Sequence, residues 1–273
     1  MFSNLKKKFS KQPEVHIFYL NGVIEFGNSN SLSSKKNKIE DLIDDLYDAA
    51  DKEVDGIILR INSPGGAAGA SEELAQTILK VREKNIPVIA SVGDLACSGA
   101  YMAAACCDYI FANKMSIVGS IGVIMQIPNF KNLSEKIGAT MVTIKAGKMK
   151  DIGNPFKDMT DEEKSYLETL TKKSHKDFIE LVTSQRQIFD LENMTDGRIV
   201  DADTAIKNNM IDHFGTFHDA LQYLAEEKLN SEVDKLKIVQ HKTKKSFVDR
   251  ILGTCNFNVT LDNSVLTNFL ERR

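Results

Sequence analysis

Short runs of apolar, β-branched residues alternate with amphipathic helical patterns along most of this 273-residue chain, and this alternation limits the possible folds more than any other feature. Strands are predicted at 15–24, 56–61 and 87–92, and helices between them at 39–46 and 70–84. Strand and helix alternate in this way when parallel strands are joined by right-handed helical crossovers. The sequence therefore predicts an α/β fold built on parallel strands.

The second half of the chain continues this alternation up to about residue 230 and then loses it. The longest predicted helix begins at Thr160, where three acidic residues follow at the positive end of the helix dipole. The other predicted elements are a small-residue helix at Ser98, a strand at 109–112, an apolar run at 117–125, a strand at 140–145, a turn and strand at 196–200, helices at 203–208 and 216–229, and a last strand at 236–239. We divide the chain into a basic N-terminal segment (1–14), one domain (15–230) and a C-terminal extension (231–273).

The charge pattern argues against nucleic-acid binding, and the cysteine pattern argues against a disulfide framework or a metal site. The net charge is −3 and the charged residues are interspersed, so the chain lacks the basic stripe with which proteins bind nucleic acid. Four cysteines, including Cys97 and the adjacent Cys106 and Cys107, match neither a disulfide framework nor a metal-ligand spacing. We expect reduced core thiols in a cytosolic protein without a metal or other cofactor.

The sequence also predicts no membrane span. The most apolar region is interrupted by Asp94 and Asp108, so no stretch approaches the roughly 18 to 20 apolar residues required. The N-terminal lysines lack the apolar core of a secretory signal, although Phe2, Leu5 and Phe9 have the helical spacing of a weak membrane-surface contact. We therefore expect a cytoplasmic protein, with membrane association as the alternative.

Ser98 is the candidate nucleophile, because it lies where a predicted strand turns into a helix of small residues. A hydroxyl at this point can project into a cleft, and backbone N–H groups at the helix start can stabilise an oxyanion. The alternative is a packing residue or an ordinary helix N-cap. Gly65 and Gly66 follow the strand at 56–61, where glycines let the backbone approach a ligand; a simple turn is the alternative there.

A catalytic serine requires a base, and the sequence does not favour histidine. None of the five histidines has a local context that indicates catalysis. A lysine can act as the base when burial lowers its pKa from about 10.4 towards 7 or 8. Three lysines, Lys145, Lys148 and Lys150, follow the predicted strand at 140–145, and their spacing alone does not choose among them.

Four motifs in order along the chain resemble those of the SppA family of signal peptide peptidases. They are Ser-Pro-Gly-Gly at 63–66, Ala-Cys-Ser-Gly-Ala-Tyr at 96–101, Gly-Ser-Ile-Gly-Val at 119–123 and Gly-Lys-Met-Lys-Asp at 147–151. The similarity covers about 15–224. It implies a Clp protease/crotonase-like fold of repeated ββα units and a serine peptidase that uses a Ser-Lys dyad without a catalytic histidine.

By this resemblance, Ser98 would be the nucleophile, Lys150 the general base and Ser120 the residue that orients the base. The oxyanion hole would use the backbone N–H groups of Gly65 and Ser98. In this family the serine and lysine can come from adjacent protomers, which implies a homo-oligomer. The substrates would be extended peptides or unstructured segments with small or apolar side chains. Many family members begin with a transmembrane helix; because this sequence predicts none, we expect cytosolic or membrane-released peptides rather than spent signal peptides within the membrane.

Two departures and two alternative functions accompany this hypothesis. Family members commonly have a second glycine at the position of Ala100 and an aromatic residue at that of Met149, and both changes leave the dyad intact. The first alternative is a crotonase-like acyl-CoA enzyme that uses the oxyanion hole without a nucleophile, with Glu72 or Glu73 as its carboxylate. The second is a non-catalytic oligomeric scaffold, against which the joint presence of the serines and lysine argues.

Overall fold

The computed structural model describes residues 12–27 and 39–241, and one sheet of eight strands organises this part of the chain. The strands are β1 (Glu14–Asn21), β2 (Gly56–Ser63), β3 (Val88–Cys97), β4 (Tyr109–Ala112), β5 (Ile117–Gly119), β6 (Ile199–Asp201), β7 (His213–Phe214) and β8 (Lys237–His241). The helices are α1 (Ile39–Asp51), α2 (Ala68–Glu83), α3 (Gly99–Ala105), α4 (Lys131–Lys136), α5 (Asp161–Gln185), α6 (Leu191–Met194), α7 (Ala202–Lys207) and α8 (Phe217–Tyr223). A π-helical turn (Leu224–Lys228) and a 3-10 turn (Val233–Lys235) precede β8.

The sheet has the order β6-β5-β3-β2-β1-β8, with β4 paired to β3 and β7 paired to β4. All of these pairs are parallel except β5 with β6, which is antiparallel. Helices connect most of the parallel strands, as the alternation of patterns predicts. The predicted α/β fold is therefore confirmed.

Apolar side chains cover both faces of the sheet, because residues along a strand point alternately to opposite sides. In β1, Phe18 and Leu20 join the larger core, which includes residues of α1, α2 and α3. Val15 and Ile17 of the same strand join a smaller core with residues of α8 and the π-helical turn. Because helices cover both faces, residues 57–59 of β2 and 88–90 of β3 are apolar and buried without alternation, as in other buried parallel sheets.

Strand β3 changes partners along its length, and this fork creates the space in which the candidate site lies. Residues 89–92 pair with β4, whereas residues 95–97 pair with β5. Its other neighbour, β2, runs parallel to it, so both strands end at the same edge of the sheet. The segments that follow them consequently lie side by side, which places Gly65 next to Ser98.

Residues 123–157 form an arm that has little regular structure apart from the short helix α4. No residue of the arm is buried. The strand predicted at 140–145 is wrong, since Val142 and Ile144 are 81% and 96% exposed and none of the eight strands pairs with this segment. β-Branched residues suit a strand, but a strand also needs a neighbouring edge, and the local pattern cannot show whether one is present.

The long helix predicted from Thr160 is confirmed: Thr160 and Glu163 form a capping box at the start of α5. In the range assigned to the C-terminal extension, β8 pairs with β1, and the Lys237 ammonium lies 2.7 Å from the Glu14 carboxylate.

The predicted membrane-surface contact near the N-terminus lies outside the described residues. No helix that the structure describes is long and apolar enough to cross a membrane. Cysteines 97, 106 and 107 are buried and free.

Candidate active site

Ser98 has a backbone conformation that is unusual for a residue with a side chain. It joins β3 to α3 with φ 52° and ψ −126°, the region that glycine occupies in tight turns. Its N–H donates to the Gly119 carbonyl at 2.8 Å, and its carbonyl accepts from the Met102 N–H at 3.0 Å. Within the described part of the chain, the half-buried Ser98 hydroxyl has no hydrogen-bond partner. The fold therefore holds a strained turn that presents a free hydroxyl.

Gly65 lies directly against this turn. Its φ of +89° favours glycine, and a Cβ added there would lie 2.7 Å from the Cys97 carbonyl oxygen and 2.8 Å from both the Gly99 nitrogen and the Ser98 Cβ. Any side chain at residue 65 would collide with the backbone of the turn that carries Ser98. The glycine thus allows the loop after β2 to touch the loop after β3.

The predicted oxyanion donors are both engaged in other hydrogen bonds. The Gly65 N–H donates to the Ser63 hydroxyl at 3.1 Å. The Ser98 N–H donates to Gly119, as described above, at the junction with β5. A donor already held by an internal acceptor is not free for an incoming oxyanion, so the assignment of the oxyanion hole to Gly65 and Ser98 needs correction.

Two other N–H groups at the same place are free. Among residues 12–27 and 39–241, the N–H groups of Gly66 and Gly99 have no acceptor, and the position of a Cβ on Gly99 is 3.7 Å from the Gly66 nitrogen. Both positions exclude side chains: a Cβ would lie 2.0 Å from the Ile24 carbonyl oxygen at residue 66 and 1.9 Å from the Ser71 hydroxyl at residue 99. Neighbouring unpaired N–H groups at a helix start form an anion site.

Ser120 lies in a second strained turn, with φ 53°. Its N–H donates to the Arg198 carbonyl at 2.7 Å, while its hydroxyl has no hydrogen-bond partner in the described part of the chain. Two residues later, Gly122 packs on Gly197 so closely that a Cβ would lie 2.8 Å from the Gly197 Cα. The loop that carries Ser120 is therefore fixed against the loop before β6.

Ser98, Gly65 and Ser120 line a single cavity of about 730 Å³. Met102 and Phe178 contribute apolar walls on the side of α3 and α5. The cavity thus combines apolar walls with a few directed polar groups, as ligand-binding sites do. The structure thus brings together three of the four residues predicted for the site.

Lys150, the fourth, lies elsewhere. It belongs to the arm, its side chain is exposed, and it is not among the residues that line the cavity of Ser98. Its backbone N–H closes a turn with the Gly147 carbonyl at 3.2 Å. Within one chain, the structure does not bring the predicted base to the predicted nucleophile.

The three lysines of the arm differ in their partners. Lys145 forms an ion pair with Asp151, and Lys148 forms one with Glu162. Lys150 has no ion pair or side-chain hydrogen bond with any described residue. The two carboxylate contacts hold the amines of Lys145 and Lys148, whereas the amine of Lys150 is unpaired in the described part of the chain, so these contacts distinguish Lys150 from the other two.

His175 also lines the cavity, although its sequence context indicates no role in catalysis. Its Nε2 lies 2.7 Å from the Thr195 carbonyl oxygen and 3.1 Å from that of Ile121. Its position on the helix was detectable, because His175, Phe178 and Val182 have the i, i+3, i+7 spacing of one helix face and the latter two are buried. What the sequence does not show is which loops lie opposite that face.

The carboxylates proposed for an acyl-CoA enzyme do not reach the cavity. Glu72 and Glu73 are exposed on α2 and are not lining residues. Asp196 does line the cavity, but its carboxylate is paired with the Arg198 guanidinium at 2.7 Å, and this hydrogen bonding lowers its pKa. The cavity is therefore better suited to a serine nucleophile than to carboxylate chemistry.

Comparison with known proteins gives a consistent result. The sequence profile of peptidase family S49 matches residues 80–231. A putative protease of Methanocaldococcus jannaschii is 44% identical over 188 residues, which cover 68% of this chain and 59% of the relative. A putative signal peptide peptidase SppA of Enterococcus faecium is 34% identical, covering 77% and 62%, and a putative protease of Synechocystis sp. is 33% identical, covering 83% and 82%. The matched part is thus about three fifths of the first two relatives.

Among solved structures, a membrane-bound stomatin-specific protease is similar with a TM-score of 0.50. The match covers 86% of this chain and 100% of that one at 14% identity, so the likeness concerns the fold alone. Together with the parallel sheet and its forked third strand, it confirms the Clp protease/crotonase-like fold expected from the motifs.

Proposed function

Because this chain belongs to peptidase family S49, we propose that it is a serine peptidase in which Ser98 attacks the peptide carbonyl and Lys150 acts as the general base. The observation that carries the proposal is the free Ser98 hydroxyl, presented by a strained turn beside two unpaired N–H groups. Strain of this kind persists only where the surrounding structure imposes it, and it concentrates at functional sites.

The proposed reaction has two stages. In the first, the neutral Lys150 amine takes the proton from Ser98 Oγ as the new C–O bond forms, and the tetrahedral oxyanion accepts hydrogen bonds from the N–H groups of Gly66 and Gly99. Lysine then donates the proton to the departing amine as the C–N bond breaks. In the second stage, water attacks the acyl-serine with the same amine as base, which releases the acid and restores the hydroxyl.

The separation of Lys150 from the cavity supports a site completed by a second copy of the chain. The arm that carries Lys150 exposes large apolar residues, including Ile124, Val142 and Ile144 at 83%, 81% and 96%. A segment that exposes several large apolar side chains is typical of an interaction surface. We propose a homo-oligomer in which the arm of one protomer packs against its neighbour and delivers Lys150 to that neighbour's Ser98.

The substrates are proposed to be extended peptides, with spent signal peptides as one source. Residues 122–124 line the cavity without belonging to a strand, and within the described residues their backbone groups have no hydrogen-bond partners. An extended peptide laid beside them would satisfy these groups as an added strand. The apolar walls at Met102 and Phe178 would accept small or apolar side chains.

Labelling with a fluorophosphonate and hydrolysis of an unstructured peptide test the dyad. Ser98→Ala should abolish both, and Lys150→Ala should abolish both with the fold intact, whereas Lys145→Ala and Lys148→Ala serve as matched controls that keep most of the activity. With a lysine base, activity should rise with pH and stay high in mild alkali. Full activity in Ser98→Ala or Lys150→Ala would disprove the dyad.

A mixing experiment tests the shared site. Equal amounts of Ser98→Ala and Lys150→Ala protein, each inactive alone, are allowed to exchange subunits. Some interfaces then combine an intact serine with an intact lysine from the neighbouring copy, and roughly a quarter of the sites should regain activity in a head-to-tail ring. If activity stays absent while subunits demonstrably exchange, both residues must act within one chain.

A further inference from the structure

His175 connects α5 to two loops, and no other hydrogen bond in the described part of the chain joins this helix to either loop. One is the loop of Ile121, which directly follows Ser120. The other is the loop of Thr195, which leads to Gly197 and Arg198. One side chain thus binds the loop that follows Ser120 and the loop that precedes Gly197, and both loops contribute residues to the cavity lining.

The partners determine which ring nitrogen carries the proton. Carbonyl oxygens only accept hydrogen bonds, and Nε2 lies 2.7 Å from the oxygen of Thr195 and 3.1 Å from that of Ile121. Nε2 must therefore be protonated and donate to both carbonyls. This nitrogen cannot at the same time accept a proton from a serine, which separates its role from that of a base.

The two loops also contact each other next to Ser120. The Ser120 N–H donates to the Arg198 carbonyl at 2.7 Å, and Gly122 packs on Gly197 without room for a Cβ. The positive φ of Ser120, 53°, is costly for a residue with a side chain and requires support from its surroundings. The hydrogen bond to Ile121, the next residue, supplies such support from α5.

We propose that His175 is a positioning residue that fixes the loop of Ser120, so that the Ser120 hydroxyl can orient the amine of Lys150. The inference rests on the proposed function, since Ser120 needs a fixed position only if it serves the base. It assigns His175 no direct part in bond making or breaking. Loss of its N–H donor should let the loop of Ser120 relax and should misplace the base, and misplacement by about 1 Å can lower a rate about 100-fold.

The test compares rates of fluorophosphonate labelling of Ser98 in four proteins. His175→Phe keeps the ring volume but loses the donor, and we expect labelling to slow about 10- to 100-fold. His175→Gln retains an N–H at about the reach of Nε2 but cannot act as a base at neutral pH, and it should stay within about 3-fold of wild type. His218→Gln, at an exposed histidine, is the matched control and should not change the rate.

A double-variant cycle with Ser120→Ala separates positioning from a general structural effect. If His175 acts through Ser120, adding His175→Phe to Ser120→Ala should slow labelling little further, and both single variants should shift the rising limb of the pH profile to higher pH. Independent, multiplicative losses would overturn the proposal, and so would a His175→Phe protein as fast as wild type. Equal losses in the Phe and Gln variants would overturn it as well.

A spectroscopic measurement keeps the inference testable if His175→Phe fails to fold. Long-range proton–nitrogen correlation on the wild-type protein should show His175 with its proton on Nε2; a proton on Nδ1 alone would overturn the hydrogen bonds on which the proposal depends. If wild-type protein is neither labelled nor active on peptides, the proposed function fails, while this spectrum still reports on the geometry.

Discussion

The strained turn at Ser98 predicts that the residue best suited to stability at this position is glycine, not serine. Replacement by alanine removes the hydroxyl but keeps a Cβ at φ 52° and ψ −126°. Replacement by glycine also relieves the strain, because glycine populates this region freely. Both variants should be inactive, but Ser98→Gly should be the more stable of the two.

The size of the difference follows from two opposing contributions. A side chain in this backbone region costs about 1 to 3 kcal/mol, and glycine recovers that cost. Glycine also gives the unfolded chain more freedom, which costs about 0.4 to 1 kcal/mol. With mid-range values of about 2 and 0.7 kcal/mol for the two contributions, the net advantage of Ser98→Gly over Ser98→Ala is about 1.3 kcal/mol in unfolding free energy. This corresponds to about 3 to 5 °C in Tm for a domain of roughly 200 residues.

Thermal and urea unfolding of both variants measure this difference. Both are done at one protein concentration, because oligomers unfold in a concentration-dependent way. The matched control is Ser165, an exposed residue within α5. There, Ser165→Gly should be less stable than Ser165→Ala by about 1 kcal/mol, since glycine is unfavourable inside a helix. A Ser98→Gly protein that is no more stable than Ser98→Ala would show that the turn stores no strain.

Three further predictions concern the loop after β2, a buried ion pair and the β1–β8 junction. Gly66→Ala brings a methyl group to 2.0 Å from a backbone carbonyl oxygen and should lower Tm and abolish labelling, whereas Gly69→Ala, which meets open space, should leave both close to wild type. Arg186→Met removes two hydrogen bonds of 2.8 and 2.9 Å from the Asp212 carboxylate and leaves it the Ile110 N–H as donor. Urea unfolding should show a loss of about 3 to 5 kcal/mol, with partial recovery when Asp212→Asn is added. Hydrogen bonding to Lys237 of β8 lowers the pKa of Glu14 from 4.5 to about 2. The ionised Glu14 therefore stabilises the folded state above about pH 5, and this contribution is lost towards pH 2. The unfolding free energy of wild type should fall more steeply over that range than that of Glu14→Gln.

The fold was largely predictable because its signals are local. Alternating strand and helix patterns define β1, β2 and β3 and the helices between them, and a capping box starts α5. The strand predicted at 140–145 failed for a physical reason. β-Branched residues favour an extended backbone, but whether a neighbouring strand is present to pair with them depends on the whole fold.

The candidate site was predictable only in part. Motifs selected Ser98, Ser120 and the glycine pair, and the structure places these residues around one cavity. They did not identify the free donors, since hydrogen bonds to Ser63 and Gly119 occupy the N–H groups first assigned to the oxyanion hole.

By itself, the sequence determined the type of fold, the family and the residue types available for chemistry, because these depend on local patterns and motif order. The tertiary structure alone decided which N–H groups remain unpaired, that His175 lies opposite two loops distant in sequence, and that Lys150 lies outside the cavity of its own chain. These properties depend on contacts between segments far apart along the chain. Such contacts are set by packing, which residue spacing does not encode.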